Sequence, residues 1–225
     1  VFLLWAFFYP KKCRTLGNAL NLHKDRHMTI ATKYNFISEQ DYLAGELQSE
    51  VRHEYIDGEV YAMAGAHKDH NLITMTVSNI FYNHLQDNPC QPYASDMKVK
   101  VGKNFFYPDV MVDCSGKEED YYTEFPTIIV EVLSKSTRQH DKTFKRQAYF
   151  QIPSLQEYIL IEQDFVEIER WYKTQDNHWE QSVHYLGDDI TFDAINLTTS
   201  VEDIYRRVKN ADMLEWLARK EQQVL

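Results

Sequence analysis

The segment TIIVEVLS, residues 127–134, is the strongest constraint in the chain. It is apolar on both faces, which fits a central strand covered on each side, yet it carries Glu131 in its middle. An ionised carboxylate buried without compensation costs many kcal/mol. It must therefore be neutralised, paired with a cation or bound to a metal. Side chains alternate along a strand, so Glu131 shares a face with Ile129 and Leu133. A second acid sits 22 positions upstream: Asp109 follows Pro108 at the head of the apolar run VMV and shares a face with Met111 and Asp113. Two carboxylates on neighbouring strands can converge on one hard cation such as Mg²⁺ (or Mn²⁺), which takes few protein oxygens and keeps water positions open. Taken singly, each acid is equally explained by a buried ion pair or a strand end.

The flanking sequence supplies a fold. Ser38 with Asp41 caps a first helix over SEQDYLAGELQSE. Asp57-Gly58 between two alternating runs specifies a β-hairpin. Ile73, Val77, Ile80, Phe81 and Leu85 recur at helical spacing and define a second helix. KVKVG and FFYPDVMVDC read as a further hairpin, and Lys117 to Glu124 as a loop. After the central strand come a helix from Thr137 to Gln151, a buried strand EYILIE, two alternating strands forming an antiparallel extension, a helix starting at Ser200 and a helical tail. That order predicts an α/β (α+β) domain, a central mixed sheet flanked by helices.

Composition narrows the function classes. In 225 residues, 44% are hydrophobic, enough for one sizeable core. The formal charge of −10 excludes a protein that coats nucleic acid through bulk positive charge. The charge is uneven, however: between Lys135 and Arg146 five basic residues (Lys135, Arg138, Lys142, Lys145, Arg146) face one acid, Asp141. Such a patch meets phosphates or is a solvated helix face. Cys13, Cys90 and Cys114 are far apart and odd in number, which predicts free thiols rather than a disulfide framework.

Residues 1–27 read as a non-native or disordered extension, with Met28 opening an ordinary cytosolic start. A membrane-associated leader is the rival, although the apolar run before Pro10 is too short to span a bilayer. The expected organisation is this extension, a domain over 28–209 and a helical tail over 210–225, in a cytoplasmic protein with no membrane partner.

The motifs PD, E-x-x-S twenty-odd residues later, and the missing lysine two positions after Glu131, where Leu133 stands, resemble a variant of the PD-(D/E)XK nuclease superfamily. The wider set YIDGEV, a following histidine, YPDV, VEVLS-x-ST, D-x-x-x-K-x-x-x-Y and EYILI, over Tyr55 to Ile161, resembles the Uma-two family of restriction-endonuclease-like proteins. That resemblance implies a restriction-endonuclease-like core and a Mg²⁺-dependent endodeoxyribonuclease. Asp109, Glu131 and Lys145 would be catalytic, with the two acids as metal ligands and the lysine supplied from the following helix. Asp141, Lys145 and Tyr149, four apart, share a helix face; the alternative for Lys145 is a surface pair with Asp141. Glu59 and His70 match family positions and are auxiliary candidates, against a solvated hairpin acid and a structural hydrogen-bonder; Glu54 is a weaker one. Lys135, Arg138, Lys142 and Arg146 would contact DNA phosphates, and a homodimer would suit cutting of two strands. The alternatives are a non-catalytic nucleic-acid-binding or assembly module with the same fold, and a metal-dependent hydrolase of another phosphate ester.

Overall fold

The computed structural model describes residues 36–117 and 120–223. The expected extension over 1–27, Met28 and Cys13 lie outside the described residues. The fold opens with α1 (Glu39–Glu46), whose first turn is closed by Ser38 accepting the Asp41 N–H at 3.1 Å. β1 (His53–Ile56) and β2 (Glu59–Ala62) form the expected hairpin. Both turn residues take positive φ, Asp57 at 49° and Gly58 at 86°. Gly58 is also required by space, because a Cβ there would lie 2.2 Å from the Phe36 ring. α2 (Lys68–His84) follows, then β3 (Gln91–Ala94), β4 (Lys98–Val101), β5 (Asn104–Phe106), β6 (Val110–Asp113), β7 (Tyr122–Thr123) and β8 (Pro126–Leu133).

Most of the strands divide between two sheets. β2-β1-β5-β4-β7 form one, and β11-β10-β9-β8-β6-β3 the other, with β9 (Glu157–Glu162), β10 (Ile168–Lys173) and β11 (Trp179–His184) completing it. β8 runs parallel to β9 and antiparallel to β6, and is the central strand expected from its apolar faces. β10 and β11 are the antiparallel extension. Three sequence expectations fail here. FFYPDVMVDC is not one strand: Pro108 has no N–H to continue the ladder, so β5 ends before it in the first sheet and β6 begins after it in the second. Nor are Cys90 and Cys114 free; they form a disulfide. The β3–β6 register that pairs Gln91 with Asp113 puts the next residues, Cys90 and Cys114, opposite each other. The strand β3 was not legible in the sequence, so their proximity was not either. Tyr122–Thr123, expected as loop, pairs with β4.

Alternation along β8 builds two cores. Ile128, Val130 and Val132 face α2, packing with Ile73, Val77 and Phe81. Ile129 and Leu133 face the other way, with Met111, Tyr149, Tyr158 and Leu160. That second layer is covered by one helical segment: α3 (Arg138–His140), a π-turn (Asp141–Lys145) and α4 (Arg146–Tyr149). β12 (Asp189–Phe192) and β13 (Leu197–Ser200) form a small hairpin, followed by α5 (Val201–Tyr205) and α6 (Ala211–Gln223), the expected tail. α5 ends before Arg206, sooner than expected. Among the described residues no helix is long and apolar enough to cross a membrane.

Candidate active site

Glu131 projects from the middle of β8 into the layer beneath the helical segment, where it is 3% exposed. Lys145 comes down on it from the π-turn and is 6% exposed. Its Nζ lies 2.8 Å from Glu54 Oε1, 3.2 Å from Glu131 Oε1 and 3.4 Å from Asp141 Oδ1. The surface-pair alternative for Lys145 is therefore excluded: the pair with Asp141 exists, but it is buried. A π-turn inside an α-helix is an uncommon local geometry that recurs at functional sites. Here it holds Asp141 and Lys145 together over the strand. Tyr149, one turn on, donates its hydroxyl to Glu131 Oε1 at 3.1 Å. Tyr158 donates to the Asp141 carbonyl at 3.0 Å, tying the π-turn to β9.

Asp109 stands just before β6. The register that pairs Val110 with Val130 brings it beside Glu131, and its Oδ2 accepts the Val132 N–H at 2.7 Å. The same oxygen lies 3.2 Å from His70 Nε2, which reaches it from α2. Burial acts to lower the His70 pKa, but the hydrogen bond and charge of Asp109 outweigh it and the net direction is up.

Glu54, Glu131 and Asp141 thus surround a single ammonium, and Asp109, from beside Glu131, acts on Glu131 and Asp141. Burial, reinforced by the charges of Asp141, Asp109 and Glu54, pushes Glu131 well above the ordinary glutamate range, and Lys145 only partly offsets this. Burial likewise raises Asp141. Burial opposes the charge on Lys145, yet Glu131, Glu54 and Asp141 together hold it well above the usual lysine range. Burial and Glu131 keep the Tyr149 phenol protonated. The site therefore holds more carboxyl groups than its own lysine can neutralise.

That excess is the fit test for a divalent cation. The donor set is hard carboxylate oxygen, and the buried Asp141 Oδ1 accepts no hydrogen bond among the described residues and has the Lys145 ammonium beside it at 3.4 Å. Among the described residues no three His, Cys, Asp or Glu side chains stand in metal-ligating geometry. The chemistry of the set suits such an ion.

The remaining sequence candidates separate. Glu59 is exposed and its carboxylate accepts the Tyr61 hydroxyl at 2.6 Å; it takes no part in the cluster. Glu54, the weaker candidate, is the one brought in, with its Oε1 also accepting the Tyr107 N–H at 3.3 Å. The signal was faint: Glu54 shares a strand face with Ile56, which packs on the same core layer as Ile129 and Leu133. Of the expected phosphate contacts, Lys135 is exposed. Arg138 instead pairs with Glu162 at 2.8 Å, Lys142 lies 3.3 Å from Glu169 and within ion-pair range of Glu162 and Glu167, and Arg146 pairs with Glu169 and lies over the Trp171 ring at 4.5 Å.

A family model described as "Putative restriction endonuclease" matches residues 39–202. This chain belongs to the Uma2 family. Two uncharacterized Synechocystis proteins are similar to it: slr1290, 34% identical over 76% of this chain and 92% of its own, and sll1609, 35% identical over 68% and 89%. A crystal structure from Anabaena variabilis, described as a "putative nuclease belonging to DUF820", matches with a TM-score of 0.66 at 17% identity, over 77% of this chain and 99% of that one. The fold of this Uma2 chain is accordingly restriction-endonuclease-like, as its motifs implied.

Proposed function

We propose that this Uma2 protein is a metal-dependent endonuclease that hydrolyses DNA phosphodiester bonds. The observation that carries the reading is the group of three buried carboxylates around Lys145, with the half-buried Asp109 beside Glu131, set on this fold. Asp109 and Glu131 would hold Mg²⁺ or Mn²⁺, with Glu54 beside them. A divalent ion there supplies Lewis acidity toward a phosphoryl oxygen and acidifies a water. Lys145 stays protonated under the charge of its neighbours and presents an ammonium to the charge that develops on phosphorus. Asp141 and Tyr149 fix that ammonium and the Glu131 carboxylate in place. His70 holds Asp109 through Oδ2, the oxygen that also accepts the Val132 N–H.

Substrate positioning differs from the sequence expectation. Arg138, Lys142 and Arg146 would have to leave carboxylate partners before meeting phosphate, so Lys135, on the loop after β8, is the first backbone contact. Cleavage is tested with plasmid, linear and branched DNA, with Mg²⁺, with Mn²⁺ and with chelator. The expected result is metal-dependent cutting that falls about 10³-fold in Glu131→Gln and about 10²-fold in Lys145→Met. If the native protein cuts none of these DNAs, and Glu131→Gln binds metal as tightly as the native chain, the reading fails.

A further inference from the structure

α2 has a second face that neither the core nor the site uses. Ile73, Val77 and Phe81 point into the core, and His70 to Asp109. Turned away from them are Leu72, Met75, Asn79 and Tyr82, spaced three, four and three residues apart. That is the a/d spacing of a two-helix seam, with one polar residue at an a position, where asparagine typically fixes register. Met75 is 61% exposed and Tyr82 is 62% exposed, so among the described residues nothing covers either side chain. Part of the stripe forms one wall of a cavity of about 520 Å³ between α2 and the α5 region, where Leu72, Met75 and Asn79 stand on one side and Asp203, Arg206 and Arg207 on the other.

We propose that this face joins two copies of the chain, α2 packing antiparallel on α2 about a twofold axis near Val77. Three features favour a second copy over an unrelated partner. First, each copy carries both a knob and a hole. The axis sets Tyr82 of one copy over Leu72 of the other, at the mouth of the cavity, and the reverse, which is the self-complementarity an isologous interface needs. Second, the stripe runs over about three turns, so the antiparallel seam is about 15 Å long, with each Met75 packed beside the partner's Asn79 near its middle. Third, the stripe is charged oppositely at its ends. Lys68 opens α2 and Asp87 follows its last turn, both exposed and outside every ion pair found among the described residues. Antiparallel packing brings each Lys68 to the partner's Asp87, whereas parallel packing would set like charges together. The seam lies on the side of α2 away from His70, so both catalytic clusters stay open.

The test is light scattering and sedimentation of the full chain. The native protein is expected to run at about twice its 26.7 kDa mass. Met75→Glu places a charge in the seam and should give monomer. Lys68→Glu and Asp87→Lys should each weaken association about tenfold, since the twofold repeats every substitution, and the double variant should recover it. All three positions are exposed, so the fold is left intact, which circular dichroism checks. A native monomer at about 50 μM, well above the dissociation constant of a specific interface of ordinary size, overturns the proposal. So does a dimeric Met75→Glu, or a double charge swap no tighter than its single parents. None of these readouts depends on cleavage, so the proposal and the nuclease reading fail separately.

Discussion

The helical segment from Arg138 to Tyr149 carries ionisable groups on two faces, and the two faces are balanced differently. Outward, Arg138, Lys142 and Arg146 interdigitate with Glu162, Asp164, Glu167 and Glu169. Cations and anions there are nearly matched. Inward, Lys145 alone faces Glu54, Glu131 and Asp141, with Asp109 beyond them. A matched ladder needs nothing further to be stable, and pairs whose cations stay half-exposed, as these do, contribute little each. A buried, unmatched cluster is costly until something else neutralises it. Balance therefore marks the outer face as architecture, and the imbalance of the inner one is what the proposed cation and charged substrate would relieve.

The contrast can be broken most directly at the two lysines. Lys145→Ala strips the only ammonium from three buried carboxylates and should cost about 3–5 kcal/mol in urea unfolding near neutral pH. Lys142→Ala, on the outer face, should cost under about 1 kcal/mol in the same measurement. Equal losses would mean the two faces do not differ as described.

Divalent ions sharpen the comparison next. Mg²⁺ at about a hundred times its dissociation constant should stabilise the native protein by about 2.7 kcal/mol, read as a rise in the unfolding midpoint. Glu131→Gln should abolish the rise, while Lys142→Ala keeps it.

The smallest effect is the pH dependence of the metal-free protein. Glu131 has a folded pKa above its ordinary 4.5, so the native state holds a proton the unfolded chain has released. Stability should fall as pH rises from about 4.5 toward the raised value, and Glu131→Gln should flatten that slope. Lys145 adds nothing in this range. Its pKa is raised too, so its contribution is complete below the ordinary lysine value of 10.5 and is lost only as pH passes above it.

Much of this was legible in the residues because it is local. The Ser38 cap, the Asp57-Gly58 turn and the apolar period of α2 need only near neighbours, and each forms as expected. The conflict at Glu131 was also visible, since an acid in a two-faced apolar strand is anomalous wherever the strand goes. Lys145 was reachable through the family pattern and helical spacing. What was not reachable depends on which strands become neighbours. Glu54 and Glu59 are both hairpin acids in the sequence, and only the packing of β1 beside β5 turns one toward Lys145 and leaves the other in solvent. The basic run 135–146 looked available for phosphate because its carboxylate partners lie some twenty residues onward, on and beside β9 and β10.

The sequence by itself determined that a carboxylate would be buried in a central strand, and that a helix bearing Asp141, Lys145 and Tyr149 on one face would follow it. Both facts rest on side-chain periodicity, which is a property of the chain. Tertiary structure alone decided how many acids that lysine must serve, which cations are already neutralised, and that Cys90 meets Cys114. Those outcomes depend on strand order and register, and charges interact through space with whatever the fold sets beside them.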